Sequence, residues 1–221
     1  MTHRKQARLA ILISGRGSNM QVFINACASG DLDAQVGLVI SNNPDAAGLQ
    51  RAAEAGIATC CIDHRSYSSR EDFDQALVEQ LNSTQVDLVI LAGFMRILTP
   101  VFIAPFAGRL LNIHPSLLPK YPGLHTHQRA LDAGDSEAGV TVHFVTAELD
   151  GGPPIVQARV PIVPGDTAAT LAARVIEEEH VIYPVAAQWY LQGRLTLTDQ
   201  GAYLDGNPIP VSGIAHTPDL R

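Results

Sequence analysis

Apolar residues in this chain fall into short unbroken runs that alternate with stretches repeating every three or four positions. Leu9 to Ile13 is the first run, and it stops at Ser14-Gly15-Arg16-Gly17-Ser18-Asn19. Met20, Phe23, Ile24 and Cys27 then recur at helical spacing, so strand, glycine loop and helix are expected in that order, with Gly30 closing the helix. Val36 to Ile40 predicts a second strand, Asn42-Asn43-Pro44-Asp45 a turn opening a helix that runs to about Gly56, and Ile57 to Ile62 a weaker third strand. Ser69 begins a helix with Phe73, Ala76, Leu77 and Leu81 on its apolar face, and Val86 to Ala92 reads as a strand buried on both sides. Beyond a proline-rich stretch, Gly139 to Thr146 and Ile155 to Ile162 predict two strands around the turn Asp150-Gly151-Gly152-Pro153-Pro154. Thr167 to Gln192 predicts a long helix that Pro184 should interrupt or kink, and Leu195 to Arg221 a small hairpin with a loose tail.

Strands alternating with helices predict an α/β fold, a doubly wound, mostly parallel sheet with helices on both faces and a Rossmann-like order. The chain has 221 residues, 46% of them hydrophobic, enough for one substantial core and one domain across 1–221. Fifteen Lys and Arg against 22 Asp and Glu leave a formal charge of −7. No global field then draws the protein to nucleic acid or an anionic membrane, and an anionic ligand must be held by local donors. Cys27, Cys60 and Cys61 are odd in number and lack a Cys-x-x-Cys spacing, which fits a reducing cytoplasm. The segment Met1 to Arg8 is basic, but the apolar run after it is too short for export or membrane spanning.

The densest candidate chemistry lies in Leu111-Asn112-Ile113-His114-Pro115-Ser116-Leu117-Leu118-Pro119-Lys120-Tyr121-Pro122-Gly123. On an extended backbone Asn112 and His114 point the same way, so both can act on one reacting atom, and the prolines stiffen the loop that follows. The Gly15 loop suits an anion at a helix N-terminus, or is a tight turn with Ser18 as N-cap. It lacks the full dinucleotide fingerprint, since Met20 stands where Gly or Ala is needed, and it lacks the Gly-Lys-Ser/Thr of a P-loop. A phosphorylated substrate fits better than a dinucleotide. Gly93-Phe94-Met95-Arg96-Ile97-Leu98 leaves a buried strand, where an open α/β sheet binds ligands, although apolar residues there also serve as core. Asp150 is a turn residue, or the carboxylate that fixes the tautomer of a catalytic imidazole. His125 and His127 have spacing compatible with metal ligation but no third ligand at familiar spacing, so no metal is expected. His143 reads as a satisfied core histidine, and Glu177-Glu178-Glu179 as a solvated helix face with one member turned inward.

The runs Leu88 to Leu98, Asn112 to Pro119 and Leu149 to Pro153 together resemble the folate-dependent phosphoribosylglycinamide formyltransferases over nearly the whole length. The resemblance implies an N-terminal nucleotide-binding half at 9–108, a catalytic and folate half at 109–193, and a hairpin and tail at 194–221. It implies Asn112, His114 and Asp150 as the catalytic trio, and Gly17, Ser18, Asn19 and Glu179 as the nucleotide contacts. Arg70, Met95, Arg96, Ile97, Leu98, Asn112, Thr146, Ala147, Glu148, Leu149 and Asp150 would face the folate. The implied co-substrate is 10-formyltetrahydrofolate, the acceptor glycinamide ribonucleotide, the assembly a monomer or homodimer, and the location cytoplasmic. Arg16, where Asn is expected, and Pro154, a second proline after the Asp150 turn, depart from the family pattern. Three other functions remain: a 10-formyltetrahydrofolate hydrolase, which normally adds an N-terminal regulatory domain; a methionyl-tRNA formyltransferase, which needs a basic RNA-binding domain; and a catalytically silent nucleotide-binding module.

Overall fold

The computed structural model describes residues 6–217. The basic residues 1–5 and the last four of the tail lie outside them. The described residues fall into two compact units that part between Leu111 and Asn112.

In the first unit, β1 (Ala7–Ile13), α1 (Ser18–Ser29), β2 (Ala34–Ser41), α2 (Ala47–Glu54), β3 (Thr59–Cys61), α3 (Arg70–Thr84), β4 (Leu88–Leu91) and α4 (Pro100–Ile103) follow one another. Its strands lie in the order β3-β2-β1-β4, every pairing parallel, with Leu9 opposite Leu88 and Val36. Leu9 to Ile13 and Leu88 to Ile90 are fully or almost fully buried, as continuous apolar strands covered on both faces should be. Helix α3 starts where Ser69 accepts a hydrogen bond from the Asp72 amide. It buries Phe73, Leu77, Val78 and Leu81, and with them Asp74, whereas Ala76 is only half-buried. The short α4, opened by Pro100 at its first position, answers to no periodic signal in the sequence.

In the second unit, β5 (Leu110–His114) begins just before the boundary, followed by α5 (Thr126–Asp132), β6 (Glu137–Phe144), β7 (Pro154–Pro161) and α6 (Ala168–Leu191). Then come β8 (Leu195–Thr198), β9 (Gly201–Leu204), β10 (Asn207–Pro208) and β11 (Ile214–Ala215). The strand order is β5-β6-β7-β11, with β6 and β7 antiparallel and β11 parallel to β7, while β8, β9 and β10 form a separate antiparallel sheet. The mostly parallel sheet and the C-terminal hairpin expected from the sequence are both present.

Three local expectations need correction. Helix α6 runs through Pro184 without a break, capped at its start by a reciprocal Thr167–Thr170 pair, because burial of Leu171, Val175, Ile182, Tyr183 and Ala186 outweighs one missing backbone bond. The tail is not wholly loose, since β11 adds to the sheet. The loop expected after His114 gives way at Thr126 to the helix α5. Among the described residues no helix is long and apolar enough to cross a membrane.

Candidate active site

Strand β5 carries Asn112 and His114 on alternate positions, His114 with only 6% of its surface exposed. Beyond it the loop holds a cis Leu118-Pro119 bond, and Tyr121, at a left-handed φ of 55°, offers its carbonyl to the imidazole. His114 Nε2–H donates to that Tyr121 oxygen at 2.9 Å. The ring's Nδ1 faces Asp150 Oδ2 at 3.4 Å. A carbonyl can only accept, so the proton on Nε2 is fixed, and a second proton on Nδ1 would meet a carboxylate. Both ring nitrogens thus face oxygen.

Asp150 itself holds φ at 50°, a region that Asp tolerates better than most residues. Its Oδ2 also accepts from the Gly123 amide at 2.8 Å, and its side chain is 9% exposed. The turn residue and the histidine's carboxylate partner, alternatives in the sequence, are the same Asp150.

His143 is more than a core histidine. Its Nδ1–H donates to the Phe144 carbonyl at 2.8 Å, leaving the Nε2 lone pair to accept from Asn112 Nδ2 at 3.0 Å. Burial, with only 2% of the residue exposed, pushes its pKa down to about 4, aided by His114 and opposed by the Phe144 carbonyl and Asp150. A neutral His143 therefore orients the Asn112 amide and leaves its second N–H and its oxygen unclaimed by this partner. His127 is half-buried, and burial first and His114 second lower its pKa.

Of the other residues singled out in this unit, Glu179 is the inward member of its acidic run at 8% exposure, beside exposed Glu177. Thr146 is half-buried, while Ala147, Glu148 and Leu149 are exposed, Leu149 by 52%.

In the first unit the strand β1 hands over to a loop whose turn requires glycine. Gly17 has φ of 72°, and a Cβ there would meet Met20 Cε at 3.0 Å and Gly48 Cα at 3.2 Å. Gly48 N–H in turn donates to the Gly15 carbonyl at 3.0 Å. Gly17, not Ser18, is the N-cap of α1, and no side chain caps that helix. Ser18 is therefore the first helical residue, and the helix's leading amides and dipole are presented at Gly17, Ser18 and the buried Asn19. Met95 and Ile97 are 68% and 54% exposed, so they are not core, while Arg96 is half-buried and Leu98 buried. Arg70 opens α3 and is exposed.

The partners that position the trio, namely His143, the Tyr121 carbonyl and the Gly123 amide, were missed by sequence reasoning. Only His143 carried a signal, a titratable residue at an inward position of a mostly apolar strand.

The formyl transferase family profile matches residues 7–187. A phosphoribosylglycinamide formyltransferase of Escherichia coli is 52% identical over 207 residues, covering 94% of this chain and 98% of that protein. The human trifunctional purine biosynthetic protein adenosine-3 is 46% identical over 198 residues, 90% of this chain and 20% of its own length. The solved phosphoribosylglycinamide formyltransferase of Coxiella burnetii superposes with a TM-score of 0.92 at 47% identity, covering 96% of this chain and all of that one. With the fold shared and the likeness running nearly end to end, the chain belongs to the formyl transferase family, on its phosphoribosylglycinamide formyltransferase branch of purine biosynthesis.

Proposed function

We propose that the protein transfers the formyl group of 10-formyltetrahydrofolate to the amine of glycinamide ribonucleotide, with a single formyltransferase domain across 1–221, in the cytoplasm. The observation that carries this is the buried pair of His114 with the turn residue Asp150 at 3.4 Å, His114 standing on the strand that also bears the oriented Asn112.

In this proposal the substrate amine attacks the formyl carbon and the formyl oxygen becomes an oxyanion. Asn112 donates its free N–H to that oxygen. His114, once it exchanges the Tyr121 carbonyl for the substrate, supplies a charged donor; loss of one such donor typically costs about 2.7–4 kcal/mol of barrier. One proton then moves from the attacking nitrogen to the folate nitrogen that leaves. Asp150 holds the imidazolium through Nδ1 while this happens, and general acid–base help of this kind contributes about 10²–10⁴-fold. Gly17, Ser18 and Asn19 hold the nucleotide's phosphate and Glu179 its ribose or amine end. Arg70, Met95, Arg96, Ile97 and Leu98, with Asn112 and Thr146, Ala147, Glu148, Leu149 and Asp150, contact the folate. Arg16 adds a charge at the phosphate loop.

The test is to mix protein, glycinamide ribonucleotide and a 10-formyl folate analogue and follow deformylation by absorbance. Nucleotide-dependent turnover that falls by about 10²–10⁴-fold in His114→Ala supports the transferase. Deformylation that ignores the nucleotide would mark a hydrolase instead, and binding without turnover a silent module.

A further inference from the structure

The segment from Gly93 to Leu98, which exposes Met95 and Ile97, is gripped at both ends by side chains that the reaction itself does not use. At its start, Ser14 Oγ accepts from the Met95 amide at 2.7 Å and donates to Asn42 Oδ1 at 2.5 Å. The Ser14 backbone joins in, its N–H donating to the Gly93 carbonyl at 3.2 Å and its carbonyl accepting from Asn43 Nδ2 at 3.4 Å. Asn42, itself 4% exposed, is backed by His64, whose Nδ1 lies 3.2 Å from Asn42 Nδ2 and 3.0 Å from the Asn42 carbonyl. At the segment's end the carboxylate of Asp74, 1% exposed on α3, accepts from the Thr99 amide at 2.5 Å. Between these two points, the amides of Arg96, Ile97 and Leu98 make no backbone hydrogen bond among the described residues. Burying a carboxylate is unfavourable unless it is well used, and burial does raise the pKa of Asp74 against the hydrogen bonds from Thr99. Its use here is to hold a loop whose buried apolar anchor is Leu98, with Met95 and Ile97 facing solvent.

We infer that Ser14 and Asp74 are positioning residues that clamp the formyl-folate loop in its binding conformation. Their effect falls on folate affinity and not on the nucleotide. This rests on the proposal that Met95 to Leu98 contact the folate. Preorganisation is the physical gain, because a loop held at both ends has less to lose on ordering around a flat heterocycle. The Ser14 hydroxyl is the cleaner probe. Ser14→Ala keeps the backbone bonds to Gly93 and Asn43 but removes the acceptor of the Met95 amide.

Titration calorimetry with a 10-formyl folate analogue and, separately, with glycinamide ribonucleotide tests the clamp on the full chain. Ser14→Ala and Asp74→Ala, each of which removes an acceptor, are expected to weaken the folate by about three- to tenfold, the range of one net hydrogen bond, with nucleotide affinity within about twofold. Ser14→Thr, which keeps the hydroxyl, should restore wild-type affinity. Ile97→Ala serves as the loop control. Weakened folate binding in Ile97→Ala with none in Ser14→Ala overturns the clamp alone, whereas no effect in either overturns the folate loop and the clamp with it. An equal loss of both ligands in Ser14→Ala, with a lowered melting temperature, shows a merely structural hydroxyl and also overturns the inference.

Discussion

The two units commit their polar groups in opposite ways. In the first, main-chain groups do the presenting: the start of α1 at Gly17, and a loop with Met95 and Ile97 out in solvent. In the second, side chains do it from near-complete burial, with His114 at 6% and His143 at 2% exposure and each ring nitrogen committed. Backbone groups tolerate changes of side chain wherever the torsion does not demand glycine, as it does at Gly17, since the groups that act are common to all residues. A buried polar cluster does not, because removing one partner leaves another without its hydrogen bond in a low-dielectric setting.

The sharpest test of that contrast is Asp150→Asn. Asparagine can still accept from Gly123 N–H, so folding and ligand affinities should persist while kcat falls by about ten- to 10⁴-fold through loss of the charge facing His114. Near-normal turnover would remove Asp150 from the proton economy and erase the difference between the units.

His143 gives a smaller effect with a defined sign. Its folded pKa of about 4 lies below the ordinary 6.5. Between those values the unfolded chain takes up a proton that the folded one refuses. Stability from this residue is therefore complete above pH 6.5 and drains away as the pH falls toward 4, by roughly 3 kcal/mol in all. Urea unfolding of wild type and His143→Leu from pH 4 to 7.5 should show this slope only in the wild type, and parallel curves would mean that His143 is not held neutral. The Leu variant should also lose turnover at neutral pH, since Asn112 loses the group that aims it.

The least effect is expected at Arg70, exposed at the start of α3. Arg70→Ala should weaken folate binding by only about two- to fivefold, less at high salt, because an exposed charge contact is screened. Calorimetry at two ionic strengths would read this; an effect as large as that of Asp150→Asn would place a side chain of the first unit on a par with the buried cluster.

What was legible in the sequence follows the same division. Periodicity located β1, α1, β2, α3 and β4 because each is an uninterrupted or evenly spaced apolar pattern whose burial dominates its energy. It missed α4 and α5, which are four and seven residues long and too short for a period to register. It misjudged Pro184, because a helix packed along its length can absorb one lost bond. Asn112 and His114 stood out by residue type and spacing, Asp150 joined them only through the resemblance, and the structure brings His114 and Asp150 together. Their supports did not stand out. The Tyr121 carbonyl and the Gly123 amide are backbone groups that every residue owns, and their aim depends on loop torsions that no local pattern encodes. The pairing of His143 with Asn112 depends on which strand lies beside β5, a matter of topology and not of composition.

The two-residue strand β11 has a bearing on how this protein behaves in concentrated solution. Ile214 and Ala215 lie along Val156 and Gln157, and the His216 amide donates to the Gln157 carbonyl at 2.7 Å. Farther along β7 the same border carries the exposed Arg159 and the ring of Pro161, both poor templates for another strand. The chain's own closing segment thus occupies the stretch of border that charge and proline leave unguarded. Cutting the chain before Gly213 would leave the Asn112–Asp150 cluster untouched in sequence yet bare a row of β-competent amides and carbonyls, so the damage would appear first as self-association on storage, ahead of any loss in turnover.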